Sequence, residues 1–319
     1  MSELLKEISK IGIVPVVVLE DADKAADVAK ALQKGGINCA EVTFRTAAAE
    51  QSIKNIAEAC PDMLLGAGTV LSTEQVDRAV AAGAKFIVTP GYNPSVVDYC
   101  VSKNIPIVPG CMDTNAIEMA LEAGLDTVKF FPAEAAGGLK MMKALAGPYT
   151  NLKFIPTGGI NKDNLCEYLG FRKIIACGGS WMVKGDLVNN DRFDEIERIT
   201  AEAVQKMLNF RVVHIGINND DEESARAQVG RFCELFGFKA DEKSASTFAS
   251  DEIEVCRKRF PGTHGHIAIG TGNVERAVYY LEKKGVEFDF STAKYKGDRL
   301  TSVYLTECIG GFAIHLVEK

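Results

Sequence analysis

Ile37-Asn-Cys-Ala-Glu-Val-Thr-Phe44 is a short apolar run that starts directly after Gly35-Gly36. Similar runs recur along the first half of the chain, separated by Ala-, Glu- and Lys-rich segments that often end near glycine. In chain order the runs are Ile11–Leu19, Ile37–Phe44, Met63–Thr69, Lys85–Thr89, Ile105–Pro109, Asp126–Phe131, Lys153–Thr157 and Lys173–Cys177. Apolar runs that alternate with helical segments are typical of a parallel sheet covered by helices. Eight of them predict an α/β fold, the closed (β/α)8 TIM barrel.

The pattern changes after a closing helix, which we predict from Asp191 to Asn209. Strands are predicted at 211–218, 246–249, 253–256, 265–271, 286–290, 301–306 and 312–317, and helices at 221–236 and 273–284. This order corresponds to an α+β domain of two β-α-β-β-β repeats, with a period of about fifty residues. We therefore predict two domains, residues 1–209 and residues 210–319.

Composition and charge narrow the class of protein. The chain has 319 residues, of which 47% are hydrophobic and 25% charged, as in ordinary globular proteins. A net charge of −7 argues against nucleic acid or an anionic membrane as the main partner. No run reaches the ~20 apolar residues of a membrane span, and the N-terminal segment lacks an apolar signal region. We expect a cytoplasmic protein with a small-molecule partner, whose nine scattered cysteines are reduced, mostly buried thiols.

Three ionisable side chains are expected inside the barrel, because alternate residues of a barrel strand point inward. In the second run apolar residues occupy every other position, so Glu41 and Arg45 face inward; in the sixth, the same rule turns Lys129 inward. Burial favours the neutral form of a lysine, which can attack a carbonyl and form an imine. A carboxyl group nearby can move protons, and an arginine suits bidentate binding of a substrate carboxylate.

The same residues fit a second interpretation, a buried structural ion pair between Lys129 and Glu41. The strand pattern alone leaves both open. Two Gly-Gly pairs, in Thr157-Gly-Gly-Ile160 and Gly178-Gly-Ser-Trp181, follow the seventh and eighth runs, where barrel enzymes commonly bind phosphate. Glycine exposes backbone N–H groups to an anion, although simple tight turns would use the same residues. Two such pairs at neighbouring strand ends favour a phosphate site.

Six motifs occur together and in order in this region. They are Glu41-Val-Thr-Phe-Arg45-Thr46, Gly66-Ala-Gly-Thr69-Val70, Thr89-Pro90-Gly91, Val128-Lys129-Phe-Phe-Pro-Ala-Glu134, Thr157-Gly-Gly-Ile160 and Gly178-Gly-Ser180-Trp181. With them, the chain from about Ile11 to Met207 resembles the 2-keto-3-deoxy-6-phosphogluconate (KDPG) / 4-hydroxy-2-oxoglutarate (KHG) aldolase family. Six motifs in register make this resemblance specific.

The resemblance implies a class I aldolase, a lyase that needs no cofactor and assembles as a homotrimer. Lys129 would hold pyruvate as a Schiff base, and Glu41 would be the general acid and base. The 2-keto acid substrate would be bound by Arg45, Thr69, Pro90, Phe131, Thr157, Gly158, Gly159, Gly179 and Ser180. Arg45 and Thr69 would position the carboxylate, and the glycines with Ser180 would hold the distal phosphate. The products would be pyruvate with glyceraldehyde 3-phosphate, or pyruvate with glyoxylate.

One position departs from the family pattern. The family often reads Pro-Gly-x-x-Thr after the fifth run, whereas here Pro109-Gly-Cys-Met112 is followed by Asp113. An acidic group that faced the pocket would disfavour a phosphorylated substrate, so substrate preference stays open at this point.

All four histidines of the chain lie beyond residue 210. His214-Ile-Gly-Ile and His266-Ile-Ala-Ile open the two repeats, and Glu254 and His315 lie in their final strands. From about Arg211 to Lys319 the chain resembles the glyoxalase / vicinal-oxygen-chelate superfamily. The resemblance implies a divalent metal held by those four residues, with His315 in place of the more usual glutamate; imidazole also binds zinc, iron and nickel. A metal-free cup used for ligand binding or trimer contacts is the alternative.

Two other functions would keep part of the pattern. A phosphate-binding barrel enzyme that works without an imine would use the glycine loops but not Lys129. A ligand sensor, with the C-terminal domain as its regulatory part, would have no use for the intact set of Glu41, Arg45 and Lys129.

Overall fold

The computed structural model describes residues 2–319, and the chain divides into two compact units between Met207 and Leu208. The strands of the first unit are β1 (Ile13–Val17), β2 (Cys39–Thr43), β3 (Leu64–Gly68), β4 (Phe86–Val88), β5 (Ile107–Val108), β6 (Thr127–Phe130), β7 (Lys153–Pro156) and β8 (Cys177–Gly179). Its helices are α1 (Glu3–Ile11), α2 (Ala25–Lys34), α3 (Ala49–Ala59), α4 (Thr73–Ala82), α5 (Pro94–Ser102), α6 (Thr114–Glu122), α7 (Gly138–Leu145), α8 (Leu165–Leu169), α9 (Gly185–Asn189) and α10 (Phe193–Leu208). Strands and helices alternate from β1 onward, as the apolar runs predicted.

The eight strands are parallel and are arranged in chain order. One sheet has the order β5-β4-β3-β2-β1-β8, and β6 pairs with β7. Single parallel bridges join Gly110 to Lys129 and Thr157 to Gly178, which connects β6 to β5 and β7 to β8. Each strand therefore neighbours the next, and the pairing of β8 with β1 returns the order to its start.

Helix ends follow local sequence signals. Ser72 caps the N-terminus of α4 by accepting a hydrogen bond from the Gln75 N–H, and Gly83 ends the helix with a φ of 114°. A side chain at Gly83 would be strained at this φ, and its Cβ would lie only 2.7 Å from Ala57 Cβ. Glycine is thus required both for the helix end and for packing on the preceding helix.

The eighth strand differs from the expectation. It was predicted at Lys173–Cys177, with the Gly-Gly pair in the loop after it, whereas β8 runs from Cys177 to Gly179. Gly178 pairs with Val14 of β1, and a Cβ on Gly178 would lie 2.2 Å from Thr157 Oγ1. The placement was wrong because this glycine serves a close approach of strands rather than a turn.

The second unit contains one eight-stranded sheet and two helices. Its strands are β9 (Arg211–Ile217), β10 (Asp241–Glu242), β11 (Ser246–Ser250), β12 (Ile253–Cys256), β13 (Gly265–Thr271), β14 (Phe288–Lys296), β15 (Arg299–Ile309) and β16 (Phe312–Glu318). Its helices are α11 (Glu222–Phe236) and α12 (Val274–Glu282). The order β10-β11-β12-β9-β13-β16-β15-β14 places the opening strands of the two β-α-β-β-β repeats side by side at the centre.

Two general expectations concerned the cysteines and the absence of a membrane span. Six of the nine cysteines are buried, in line with mostly buried thiols. None of the helices within residues 2–319 combines the length and apolar character needed to cross a membrane.

Candidate active site and histidine cluster

Lys129 in β6 and Glu41 in β2 meet in the interior of the strand ring. Lys129 Nζ donates a hydrogen bond to Glu41 Oε1 at 3.2 Å, and the two side chains are only 5% and 4% exposed. The two strands lie on opposite sides of the ring, so each side chain crosses the interior to reach the other. A nucleophilic amine and a proton-accepting carboxylate are thereby held together away from bulk water.

The two glycines of β3 make room for neighbouring side chains, and Gly68 does so for the Glu41 carboxylate. A Cβ on Gly68 would lie 2.1 Å from Glu41 Oε1, so any larger residue would displace the carboxylate. A Cβ on Gly66 would lie 2.3 Å from the ring of Phe86. The Gly-Ala-Gly sequence of this strand therefore follows from the side chains packed against it.

The surroundings of the lysine offer an apolar wall and unused hydroxyl groups. The Phe131 ring centroid lies 5.4 Å from Lys129 Nζ. The buried hydroxyls of Thr43 and Thr157 have no hydrogen-bond partner among residues 2–319. A buried polar atom without a partner costs about 1–3 kcal/mol. Thr157 directly follows β7, and its hydroxyl lies against Gly178 of β8.

Arg45 and Thr69 lie just beyond the ends of β2 and β3. The expectation that Arg45 faces inward within its strand was wrong, because β2 ends at Thr43 and Arg45 is exposed. Arg45 Nε instead donates to Thr69 Oγ1 at 3.4 Å. Thr69 has a φ of 56°, a left-handed conformation that is rare for a β-branched residue and costs about 1–3 kcal/mol. In this conformation the Thr69 hydroxyl accepts the hydrogen bond from Arg45.

The loop after β7 and the residue after β8 present free backbone donors. Gly158 and Gly159 have φ values of 97° and 84°, which only glycine adopts without strain. Within the described chain, the N–H groups of Gly158, Gly159 and Ser180 donate no hydrogen bond. Neighbouring backbone N–H groups without acceptors are suited to binding an anion such as phosphate.

Glu134 supports this loop from the side. A Cβ on Gly159 would lie 2.4 Å from Glu134 Cγ, and Glu134 N donates to the Gly158 carbonyl at 3.0 Å. The Glu134 carboxylate in turn accepts a hydrogen bond from the hydroxyl of Tyr168, which is buried. The loop is therefore fixed by contacts rather than freely mobile.

Asp113 caps a helix. Its Oδ1 accepts a hydrogen bond from Ala116 N at 2.9 Å at the start of α6, and the residue is exposed. Aspartate and threonine both serve as N-caps, so the departure from the family pattern preserves this structural role.

The four ligand candidates of the second unit lie on four adjacent strands, β12, β9, β13 and β16. His214 Nε2 lies 3.2 Å from His266 Nε2 and 3.2 Å from Glu254 Oε2, and His266 Nε2 lies 3.1 Å from the same oxygen. His315 adds a third imidazole, with ligand nitrogens of the three histidines within 4.8 Å of one another. Its Nε2 is buried and has no hydrogen-bond partner in the described residues.

The protonation states of Glu254 and His315 suit a cation. Burial raises the pKa of Glu254, but hydrogen bonds with His214, His266 and Ser246 outweigh it and hold the pKa well below its usual range. Burial, together with His266 and His214, lowers the pKa of His315 to about 3. An anionic carboxylate and a neutral imidazole are the forms that bind metal ions.

The spacing of the donor atoms also fits a metal. Donors about 2.1 Å from a tetrahedral ion lie about 3.4 Å from one another, close to the separations among His214, Glu254 and His266. The unpartnered nitrogen of His315 supplies a fourth donor. Ser246 Oγ donates to Glu254 Oε1 at 2.5 Å, and Ser302 Oγ lies 3.2 Å from His315 Nδ1, so hydroxyls orient both ligands.

Several residues of these sites were not found by sequence reasoning. Gly68, Ser246 and Ser302 act by making room for, or orienting, another side chain, and such roles leave little trace in composition. For the serines a signal existed, since Ser246-Thr-Phe248 and Ser302-Val-Tyr304 occupy corresponding positions of the two repeats. Superimposing the repeats on each other would have shown both.

Comparison with known proteins covers the first unit. Residues 4–199 match the family described as KDPG and KHG aldolase. A 2-dehydro-3-deoxy-phosphogluconate aldolase of Treponema pallidum is 47% identical over 205 residues, which are 64% of this chain and 98% of that protein. The KHG/KDPG aldolase of Escherichia coli is 38% identical over 193 residues, which are 60% of this chain and 91% of that protein.

A solved structure of KDPG aldolase from Legionella pneumophila, with pyruvate captured as a covalent carbinolamine intermediate, is also similar. It superimposes with a TM-score of 0.61 at 35% identity and covers 63% of this chain and 98% of that one. Residues 200–319 lie outside the family match.

Proposed function

The chain belongs to the KDPG and KHG aldolase family and is a lyase, and on this premise we propose that it cleaves KDPG, KHG or both. KDPG would yield pyruvate and glyceraldehyde 3-phosphate, and KHG would yield pyruvate and glyoxylate. The buried contact between Lys129 Nζ and Glu41 Oε1 carries this proposal. Pyruvate release from each compound by the purified full chain tests it, and release from neither would reject it.

We also propose a fold for each domain and an assembly for the chain. Residues 1–209 form a (β/α)8 barrel domain, and residues 210–319 form a domain of the glyoxalase / vicinal-oxygen-chelate type. The ring order of the eight strands supports the first assignment, and the paired β-α-β-β-β repeats support the second. The resemblance further suggests a homotrimer, which light scattering at three times the chain mass would support.

Imine formation begins at the ketone of the substrate. The Lys129 amine attacks C2 to give a carbinolamine, and loss of water gives an imine. Glu41, in hydrogen-bond contact with the amine, accepts and returns the protons that these steps move. No cofactor is needed, because the protonated imine itself withdraws electrons.

Cleavage then follows at the C3–C4 bond. Glu41 takes the proton of the C4 hydroxyl, the C4 aldehyde forms, and the electrons of the broken bond become the enamine of pyruvate. The enamine takes a proton at C3, and water hydrolyses the imine to release pyruvate and free Lys129. The apolar ring of Phe131, half-buried beside the amine, forms one wall of the site.

Binding groups surround this centre. Arg45 and Thr69 position the pyruvate carboxylate, supported by their mutual contact, and Thr157 and Pro90 complete the pocket. The distal phosphate is held by the backbone N–H groups of Gly158, Gly159 and Gly179 and by Ser180.

Substitution Gly159→Ala is expected to weaken binding of the phosphorylated substrate. The new Cβ would meet Glu134 Cγ at 2.4 Å at a φ of 84°, so the loop must move. We expect KM for KDPG to rise by about tenfold or more, as for loss of charge-assisted hydrogen bonds. Trapping of pyruvate on the enzyme should stay unchanged, because pyruvate lacks the distal group.

Gly185→Ala is the matched control, since no atom lies within 4 Å of a Cβ there. A rise of KM for KDPG and an equal loss of pyruvate trapping in Gly159→Ala would mean that the loop is only a structural turn.

For the second unit we propose a divalent metal held by His214, Glu254, His266 and His315. Support comes from the convergence of three donor atoms within 3.2 Å and from the unpartnered Nε2 of His315. Three imidazoles favour zinc, iron, cobalt or nickel over magnesium or calcium. When bound, such an ion supplies Lewis acidity.

Chelation should separate the two sites. We expect about one metal ion per chain by elemental analysis, removal of that ion by EDTA, and an aldolase kcat within about twofold of the untreated enzyme, because imine chemistry uses no metal. His214→Ala should lose the metal without EDTA, and His264→Ala, which changes the exposed histidine outside the cluster, should keep it. Loss of cleavage on chelation would reject a metal-free aldolase mechanism.

A further inference from the structure

The two repeats of the second unit place equivalent residues around the histidine cluster. Phe248 lies directly opposite Glu254, and Tyr304 lies directly opposite His315, each across one antiparallel strand pair. Two residues earlier, Ser246 contacts Glu254 and Ser302 contacts His315. We call the surroundings of the four ligand candidates the cup, with one half from each repeat. Both halves carry a serine at the same position.

The halves differ in the residue beside the serine-bound ligand. Phe248 packs edge-on against His214 with ring centroids 5.5 Å apart. Tyr304 stacks on His315 at 4.7 Å and lies 6.3 Å from His266. The Tyr304 hydroxyl makes no hydrogen bond within residues 2–319. One side of the cup thus carries an unused donor where the other carries only a hydrocarbon ring.

Charge on the outer strands does not distinguish the two halves. Asp241 of β10 lies opposite Phe248, and Asp289 of β14 lies opposite Tyr304. The difference between the two aromatic residues therefore lies in the Tyr304 hydroxyl.

The charge of the cluster itself indicates the sign of its ligand. A divalent ion with one carboxylate and neutral imidazoles keeps a net positive charge of about one. A monoanion balances this charge, and oxygen is a common donor to such ions. The buried, unpartnered nitrogen of His315 supports the metal centre on which this charge depends.

We propose that the cup binds a small monocarboxylate whose oxygen accepts a hydrogen bond from Tyr304, with Phe248 covering its apolar side. The proposal rests on the proposed metal centre. Tyr304 is a ligand-orienting residue, and its hydroxyl determines which way round the molecule lies between the Glu254 half and the His315 half of the cup.

The test uses the full chain loaded with Co²⁺, whose visible spectrum reports only on the metal. Glycolate is the probe, because it has no ketone or aldehyde group and cannot form an imine with Lys129. Tyr304→Phe should bind cobalt with unchanged stoichiometry and spectrum but bind glycolate about tenfold more weakly, as expected for loss of a hydrogen bond to a charged acceptor. Imidazole, a neutral ligand that accepts no hydrogen bond from the phenol, should bind both proteins equally.

Tyr295→Phe is the matched control, since it removes a hydroxyl from a residue that is 59% exposed on β14. Equal glycolate affinity in Tyr304→Phe and the unchanged protein would overturn the role of the hydroxyl. A cobalt spectrum that glycolate does not alter would overturn the carboxylate assignment while leaving the metal centre intact. Failure to bind cobalt at all would overturn the metal centre and this assignment with it.

Discussion

Borohydride reduction in the presence of pyruvate is expected to attach one pyruvate-derived group to the peptide that carries Lys129 and none to the Lys129→Ala variant. The reason is that this amine is the one that lies in the ring interior beside a buried carboxylate, at 3.2 Å from Glu41 Oε1. Cleavage of KDPG should fall by about a thousandfold or more in the variant, because the covalent route is lost. Peptide mass spectrometry and a pyruvate-release assay measure the two effects.

Lys173→Ala provides the matched control. Burial and the nearby charge of Lys153 lower the pKa of Lys173, so it is the most reasonable competing nucleophile. Lys173 precedes β8, however, and its Nζ donates to the carbonyl oxygens of Tyr149 and Thr150. The control should therefore keep both the adduct and the activity. An adduct that persists in Lys129→Ala, or disappears in Lys173→Ala, would contradict the assignment of Lys129.

Side chains alternate in direction along a strand, which explains why the pair of Lys129 and Glu41 could be inferred from sequence. Val128 and Phe130 must face the helices, so Lys129 has only the ring interior available, and the same holds for Glu41 between Ala40 and Val42. The prediction of an aldolase is confirmed by the family match and by a relative that is 47% identical. The resemblance was needed for this step, because alternation alone does not distinguish a nucleophile from a structural ion pair.

Positions at strand ends were less predictable, because hydrophobic periodicity does not report where hydrogen bonding stops. Arg45 was placed in β2 because it is four residues after Glu41 and would point to the same side of the strand, but the strand ends two residues earlier. The glycines of β8 looked like a turn, although Gly178 is small because Thr157 lies against it. The positive φ of Thr69 had no sequence signal, since a threonine there contradicts local preference.

In the second unit, the number of strands was easier to predict from sequence than their lengths. The two-residue strand β10 was not located, because Asp241 and Glu242 have low strand preference and pair only at the edge of the sheet. The hairpin of β14 and β15 extends beyond the predicted 286–290 and 301–306, since its exposed polar residues carry no periodic signal. The glyoxalase-type assignment and the metal remain predictions.

Substitution Glu41→Gln is expected to separate imine formation from proton transfer. The amide keeps the size of the side chain and can still accept a hydrogen bond from Lys129, but it cannot take a proton. Cleavage of KDPG should fall by about 100- to 10,000-fold, the usual contribution of a general acid and base. Pyruvate should still be trapped on Lys129 after long incubation, because the variant slows the approach to the imine without removing the amine.

Exchange of the pyruvate methyl protons in D2O, followed by NMR, isolates the step at C3. If Glu41 moves protons, exchange should be slowed together with cleavage while trapped pyruvate persists. A purely structural role predicts another outcome: loss of one partner of a buried pair costs about 3–5 kcal/mol, so trapping, exchange and folding would fail together. Glu50→Gln is the matched control, because Glu50 forms an ion pair with Arg78 at 2.7 Å on the surface and should leave all three measurements unchanged.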